Sequence, residues 1–393
     1  MKKKALHYSL PYVGLLFLCL FVFMPFGFVN VYLKIDDVKS FHSLGLYQLI
    51  FGGGEITSSL ETIKVEFNPL YFLAFIILIL GFVFYVINDI LKRKKKNTFG
   101  VGLTSLLFYF ISFVSFALIF YFYPLTSNVS SLVGFREVEV IGYTYGIFLS
   151  IIFILMLLAL KEVVNYKKIN IKEIAEIAIL IALAVVLDKV TFFKMPTGGS
   201  VNISALPLMI IALRHGPFKG LFASSVVFGL VSSLLDGYGL QFYPFDYFIG
   251  FAGYAFIGVS YYLVRRIFKK SNETHPRLML GVGIVSGSIV AFIIRMIGSS
   301  LSSMIFYDYT LEAALIYNLS YIPLSVFISM AILLVLIPIY IIIDHRFKIK
   351  DSFYAIKENK ISLINIILLT LTITILVASI IISLLIINNI IVF

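Results

Sequence analysis

The feature that most constrains this chain is a succession of apolar runs, each long enough to cross a lipid bilayer as a helix. A spanning helix needs about 20 apolar residues. Apolar and aromatic residues make up 61% of the 393 residues and charged residues only 13%, proportions that are not those of a soluble fold. The sequence therefore predicts an all-α integral membrane protein with about eleven transmembrane helices. The predicted spans are 11–31, 69–90, 101–123, 143–160, 174–190, 202–213, 220–236, 245–264, 278–304, 315–343 and 363–391.

The positive charges between the runs predict the direction of each span. With a cytoplasmic N-terminus, 24 of the 31 Lys and Arg residues fall in alternate segments on the inner side, as the positive-inside rule requires. We therefore expect a multi-pass protein whose N-terminus is cytoplasmic. The same rule accounts for the net charge of +11, so the lipid bilayer is an expected partner and nucleic acid is not.

The spans fall into three blocks. Residues 1–168 are predicted to form a four-helix membrane region with two long outward loops. Residues 169–345 form six spans with short loops and contain most of the membrane-embedded small and ionisable residues. Residues 346–393 form a cytoplasmic linker and one C-terminal helix. We therefore expect any chemistry within the bilayer to lie in the middle block.

Several kinds of enzymatic motif are absent from the sequence. No G-x-x-x-x-G-K-[ST] motif occurs, so we expect no nucleotide hydrolysis by the chain itself. The five histidines are scattered, and none has a second ligand three or four residues away, which argues against a metal site. The sequence therefore predicts a protein that is not an enzyme and has no cofactor.

Two ionisable residues of the middle block are candidates for a function, one at the outer end of a predicted span and one near the middle of a span. Asp246 begins the eighth span among aromatic residues. It either interacts with the helix dipole there or meets a cationic ligand in an aromatic-walled site. Arg295 lies near the middle of the ninth span, where an unpaired charge is costly, so we expect it to face the bundle interior. The loop with Gly198, Gly199 and Ser200 is either a tight turn or a backbone that approaches a ligand.

Two small residues share one face of the fifth span. Ala178 and Ala182 are four residues apart, a spacing that lets another helix approach closely. That helix belongs either to the same chain or to a second subunit, and the pattern alone leaves both alternatives open.

At these residues the chain resembles the substrate-binding membrane subunits, or S components, of energy-coupling factor (ECF) vitamin transporters, most closely the thiamine-specific ones. The resemblance covers about 170 residues within 170–345. It rests on the stretch GGSVNISALPLMIIALRHGPFKGLFASSVVFGLVSSLLDGYGLQFYPFDYFIGFAGYAFIGV and on YNLSY further along. It implies a six-helix bundle in a bacterial plasma membrane.

The resemblance also implies function and site residues. An S component captures a vitamin at the outer face and docks on a transmembrane coupling subunit driven by two cytosolic ATPases. In the thiamine subunits, an acidic residue followed by Tyr contacts the ligand, which implies Asp246 and Tyr247 here. The family's Asn corresponds to Asn318, its histidine position falls at Ser299, and Tyr307 keeps an aromatic. Ala178 and Ala182 would form the docking face. The predicted substrate-binding residues are Asp246, Tyr247, Asn318, Tyr307, Ser299, Gly198, Gly199 and Ser200.

The leading hypothesis is therefore a subunit that captures thiamine or a related vitamin or precursor. The alternatives are an S component for another vitamin such as riboflavin, an integral membrane enzyme or lipid-handling protein, and a structural partner that anchors a complex. The chain lacks the tryptophans of the thiamine sites, and Ser299 and Ala313 stand where those sites have His and Tyr.

Overall fold

The computed structural model describes residues 12–346, except 13–15, 17, 21, 24–26, 36–37, 54, 58–61, 66, 95–97, 123–135, 164–170, 197 and 238–241. The chain divides into two compact units. The first comprises Met1–Asn165 with Tyr307–Glu312, and the second comprises Tyr166–Phe306 with Ala313–Phe393. The predicted last span, 363–391, lies outside the described residues.

The first unit combines apolar helices with a small antiparallel sheet. Its elements are β1 (Gly27–Ile35), β2 (Val38–Gly45), α1 (Leu46–Phe51), β3 (Glu55–Thr57), β4 (Thr62–Lys64), α2 (Pro69–Arg93), α3 (Phe99–Phe122), β5 (Arg136–Val140) and α4 (Gly142–Val163). The sheet order is β2-β1-β5. The two segments predicted as outward loops therefore both contribute strands to one sheet, on either side of β1.

The strand β1 corrects the prediction of a helix over 11–31. Residues 27–31 belong to β1, which pairs with β2 from Ile35 opposite Val38 back to Gly27 opposite Gly45. The apolar run does not continue as helix because Pro25 and Gly27 interrupt helical propensity. The β-branched and aromatic residues that follow favour a strand instead.

The second unit is a helical bundle with one short hairpin. Its elements are α5 (Ile171–Lys189), β6 (Phe193–Lys194), β7 (Ser200–Val201), α6 (Ala205–His215), α7 (Pro217–Leu235), α8 (Tyr243–Ile267), α9 (Lys269–Thr274), α10 (Pro276–Phe306), α11 (Leu311–Leu319) and α12 (Ile322–Arg346). Two helices contain a wider π-helical stretch, Phe222–Phe228 in α7 and Tyr243–Gly250 in α8. Such stretches are frequent at functional sites.

The helices confirm an all-α membrane protein with a few strands. Among the described residues, six helices are long and apolar enough to cross a membrane, and two shorter apolar helices are Thr144–Leu160 and Ala205–His215. The helix α5 lies over the predicted span 174–190. Five of the six spans predicted for the middle block therefore each overlap one helix, and the sixth, 315–343, overlaps both α11 and α12. The total of eleven spans remains a prediction.

Close helix packing in the second unit depends on two glycines of α10. A Cβ atom on Gly283 would lie 2.6 Å from the Cα of Tyr261 in α8, and one on Gly287 would meet the Cα of Ile257 more closely still. Because the two glycines are four residues apart, they lie on one face of α10 and let the backbones of α8 and α10 approach. This packing holds α8 and α10, which carry Asp246 and Arg295, against each other.

Candidate functional site

The carboxylate of Asp246 is held by two side chains of α10. Ser299 Oγ donates a hydrogen bond of 2.6 Å to Asp246 Oδ1, and Arg295 Nη1 lies 3.6 Å from the same oxygen. Arg295 also donates to the backbone oxygen of Asp246 at 3.1 Å. The side chain of Asp246 is 26% exposed and that of Arg295 is 14% exposed. Asp246 is therefore a partly accessible carboxylate whose charge has a cation close by.

Arg295 faces the interior of the unit, as its position in the sequence predicts. Its guanidinium carbon lies 3.9 Å from the ring centroid of Phe251, a distance typical of a cation–π contact. Phe251 also packs against Phe228, with ring centroids 4.8 Å apart. The ring of Phe251 thus covers the guanidinium of Arg295 on one side and is itself packed against Phe228.

Tyr247 points its hydroxyl to a different carboxylate. It donates a hydrogen bond of 2.6 Å to Asp236 Oδ2, at the end of α7. The other oxygen of Asp236 accepts a bond of 2.5 Å from Lys189 Nζ, the last residue of α5. The ring of Tyr247 is 5% exposed and lies 5.8 Å from that of Phe251. Three helices, α5, α7 and α8, therefore meet at the carboxylate of Asp236.

A further carboxylate, that of Asp188, extends the network towards the hairpin. Its Oδ1 accepts from Asn202 Nδ2 at 3.0 Å, and its Oδ2 accepts from Ser232 Oγ at 3.3 Å. Lys189 Nζ lies 3.7 Å from Asp188 Oδ2. Asn202 Nδ2 also donates to Ser200 Oγ at 3.0 Å, so the predicted residue Ser200 is joined to this network.

The hairpin with Gly198 and Gly199 is fixed by aromatic residues of α11 and of the turn before α12. Tyr317 donates a hydrogen bond of 2.6 Å to the backbone oxygen of Gly198. Both glycines have positive φ, 109° and 87°, a region that other residues seldom adopt. A Cβ atom on Gly199 would lie 2.6 Å from Cζ of Tyr321. The loop is thus a turn packed on tyrosine rings, and the approach of its backbone to a ligand stays a prediction.

Asn318 is buried, at 1% exposure, and its amide is bonded within the protein. Its Nδ2 donates to the backbone oxygen of Ala314 at 2.8 Å and to the hydroxyls of Ser300 and Ser303 at 3.3 Å each. Its Oδ1 accepts from the hydroxyl of Tyr321 at 2.8 Å. A ligand contact at Asn318 would therefore replace one of these bonds.

Tyr307 differs from the other predicted substrate-binding residues in the unit to which it belongs. It follows α10 in the segment Tyr307–Glu312, which groups with the first unit. Its side chain is 37% exposed, and its ring lies 6.1 Å from that of Tyr309.

Sequence reasoning missed Asp188, Lys189, Asp236 and Asn202. The signal was present, because the predicted spans 174–190 and 220–236 end on the side where the span with Asp246 begins. Charged residues at three span ends on one side of a membrane are candidates for mutual pairing. This network contains the carboxylates of Asp188, Asp236 and Asp246 and two cations, Lys189 and Arg295. It therefore has one more negative than positive charge.

The predicted docking residues lie on an exposed face of α5. Ala178 and Ala182 are both exposed, whereas Leu180 and Ala184 are buried against the rest of the unit. The first turns of α5 are tied to the bundle by two ion pairs, Glu173 with Lys219 and Glu176 with Arg214, at 2.5 Å each.

Comparisons with known proteins find relatives of the second unit. A family model described as thiamine transporter protein (Thia_YuaJ) matches residues 174–349. The thiamine transporter ThiT of Bacillus subtilis (strain 168) is 32% identical over 141 residues, which are 34% of this chain and 70% of that protein. No solved structure matches. The whole network described above lies within the matched residues.

Proposed function

Since the chain belongs to the thiamine transporter protein family, and is accordingly a transporter rather than an enzyme, we propose that it is the substrate-capturing subunit of an ECF-type ABC importer. It binds thiamine, or a closely related vitamin or precursor, at the outer face of the membrane. A transmembrane coupling subunit and two cytosolic ATPases supply the energy for uptake.

The observation that carries this proposal is the excess negative charge around Asp246 and Tyr247. Thiamine carries one positive charge on its thiazolium ring. A monocation brought among Asp188, Asp236, Asp246, Lys189 and Arg295 would balance their charges. The surrounding tyrosine and phenylalanine rings offer the stacking surface and cation–π contacts that an aromatic cation favours. Asp246 accepts hydrogen bonds in this scheme, and the guanidinium of Arg295 lies beside its carboxylate.

Binding at the outer face is supported by the two ends of α5. Glu176 pairs with Arg214 near the start of the helix, and Asp188 lies near its end. Twelve residues of helix separate these carboxylates by about 18 Å. The positive-inside rule assigns the segment with Arg214 and Lys219 to the cytoplasm, so the network with Asp188 belongs to the outer half.

Docking on the coupling subunit is assigned to the exposed face of α5. Ala178 and Ala182 present small side chains that permit close helix approach. The ion pairs of Glu173 and Glu176 hold the cytoplasmic end of the helix in a fixed position on the bundle. A partner helix would therefore meet a rigid surface.

The substrate is tested by native mass spectrometry of the purified protein with a panel of vitamins at micromolar concentration. We expect thiamine to stay bound. Retention of riboflavin or another vitamin instead would replace thiamine in the proposal, and retention of none would contradict a capture function.

Docking is tested by separating binding from uptake. We expect Ala178→Trp and Ala182→Trp to leave thiamine binding unchanged, to abolish uptake of labelled thiamine by whole cells and to stop the ATPase subunits from copurifying. The matched control is Ile289→Trp, at a position of α10 that is 44% exposed, which should leave uptake intact. Normal uptake by either alanine variant would show that this face is not the docking surface.

A further inference from the structure

The carboxylate of Asp236 has its two oxygens occupied by two different partners. Lys189 Nζ lies 2.5 Å from Oδ1, and the hydroxyl of Tyr247 donates to Oδ2 at 2.6 Å. The backbone of Asp236 is itself fixed, because its N–H donates to the backbone oxygen of Ser232 at 2.9 Å. The carboxylate therefore cannot turn away from Tyr247 without losing a bond to Lys189.

This arrangement determines what the hydroxyl of Tyr247 offers to a ligand. A tyrosine hydroxyl has one proton to donate and two lone pairs to accept with, and an ionised carboxylate accepts only. The proton of Tyr247 is therefore committed to Asp236, and the capacity that remains on its oxygen is that of an acceptor.

We propose that Asp236, held by Lys189, is a positioning residue that fixes the hydroxyl of Tyr247 as a hydrogen-bond acceptor for the transported solute. The solute is thereby required to present an N–H group or positive charge at this point. The inference rests on the proposed function, in which Tyr247 contacts the solute.

The exposures of Lys189 and Tyr247 indicate that the network orients the hydroxyl of Tyr247 more than it stabilises the fold. Lys189 is 44% exposed, and an ion pair with so exposed a cation contributes little to stability. The bond from Tyr247 to the carboxylate is charge-assisted and lies beside a ring that is 5% exposed, so it is the stronger interaction. The network thus holds a hydroxyl group in place more than it holds the helices together.

The substitution Asp236→Asn tests the orientation directly. Lysine has donors only, so the amide oxygen of the new side chain would face Lys189 and its NH₂ group would face Tyr247. The tyrosine oxygen would then accept from the amide, and its proton would turn towards the solute. We expect the dissociation constant for thiamine, measured by isothermal titration, to rise at least tenfold.

The same substitution in a Tyr247→Phe background separates a positioning role from a general one. Without the hydroxyl there is nothing for Asp236 to orient, so Asp236→Asn should then raise the dissociation constant only by the part that its charge contributes, clearly less than in the wild-type background. An equal loss in both backgrounds would overturn the proposal. Lys189→Arg should keep the affinity within threefold of wild type because it retains the donor, whereas Lys189→Met should lower it.

A readout without ligand distinguishes failure of this inference from failure of the proposed function. In protein labelled with ¹³C at tyrosine Cζ, the Tyr247 peak is identified by its loss in Tyr247→Phe. Asp236→Asn should shift this peak, because the hydroxyl changes from donor to acceptor, and Lys189→Arg should not. An unmoved peak would overturn the inference. Wild-type protein that binds no thiamine would contradict the proposed function, and the peak would then still decide the orientation of Tyr247.

Discussion

The two ends of α5 use charge in opposite ways. Near its start, each carboxylate has its own buried cation, since Glu173 pairs with Lys219 and Glu176 with Arg214. Lys219 is 8% exposed and Arg214 is 4% exposed. Near its end, carboxylates outnumber cations, and serine, asparagine and tyrosine side chains supply the remaining donors.

Under the proposed function, this difference separates a structural end of the bundle from a binding end. Balanced, buried ion pairs are costly to break, but their net contribution to folding is small, and they fix the geometry of neighbouring elements. A network in which carboxylates outnumber cations has charge and hydrogen-bonding capacity left for a third party. The comparison predicts that substitutions at the two ends affect different measurements.

The largest effect is expected from Glu173→Gln at the structural end. The substitution leaves Lys219 beside a neutral amide in a site where it is almost fully buried, which should lower the free energy of unfolding by about 3 kcal/mol. Unfolding in mixed micelles measures this loss, and the dissociation constant for thiamine should stay within twofold of wild type.

The double variant Glu173→Gln with Lys219→Met is the control for that prediction. It removes the buried charge as well as its partner, so most of the lost stability should return. A large loss of thiamine affinity in Glu173→Gln would mean that the two ends of α5 are not separate in function.

The next largest effect is expected from Asp246→Asn at the binding end. The amide keeps the shape and one acceptor oxygen but removes the charge that makes the network negative. A hydrogen bond to a charged group contributes about 1.5–3 kcal/mol, so the affinity for thiamine should fall roughly ten- to a hundredfold. Isothermal titration measures this change, and a change below threefold would remove Asp246 from the site.

Much of the second unit was predictable because hydropathy determines where a chain crosses a bilayer. The run 278–304, for example, lies within the observed helix Pro276–Phe306, and the run 220–236 ends one residue beyond the observed helix Pro217–Leu235. The strand Gly27–Ile35 was not predicted, since an apolar run alone does not distinguish the last turns of a helix from a strand.

The site was predictable only in part, for a physical reason. Asp246 and Tyr247 were predicted because an acidic residue followed by Tyr is a local pattern, and the resemblance to the thiamine-specific subunits rests in part on it. Tyr247 is bonded to Asp236 at the end of α7, and Asp236 is bonded in turn to Lys189 at the end of α5. In the sequence both look like ordinary charges at the ends of spans. Which of these charges meet depends on the crossing of α5, α7 and α8, and no local pattern specifies that crossing.

The smallest effect is expected from Gly199→Ala, which tests whether the hairpin is a fixed part of the binding end. Gly53 provides a matched control, because its φ of +89° is close to the +87° of Gly199 but a Cβ atom there would meet nothing within 4 Å. Gly53→Ala should lower the free energy of unfolding only by the strain of an alanine in the left-handed region of φ and ψ, about 1 kcal/mol. Gly199→Ala should lower the free energy of unfolding by about 1 kcal/mol more than Gly53→Ala does, because Tyr321 must move and its bond to Asn318 Oδ1 is lost. Unfolding of both variants in mixed micelles gives the difference. An equal loss of unfolding free energy in the two variants would mean that Tyr321 moves aside at no cost and that the hairpin is not held against the binding end.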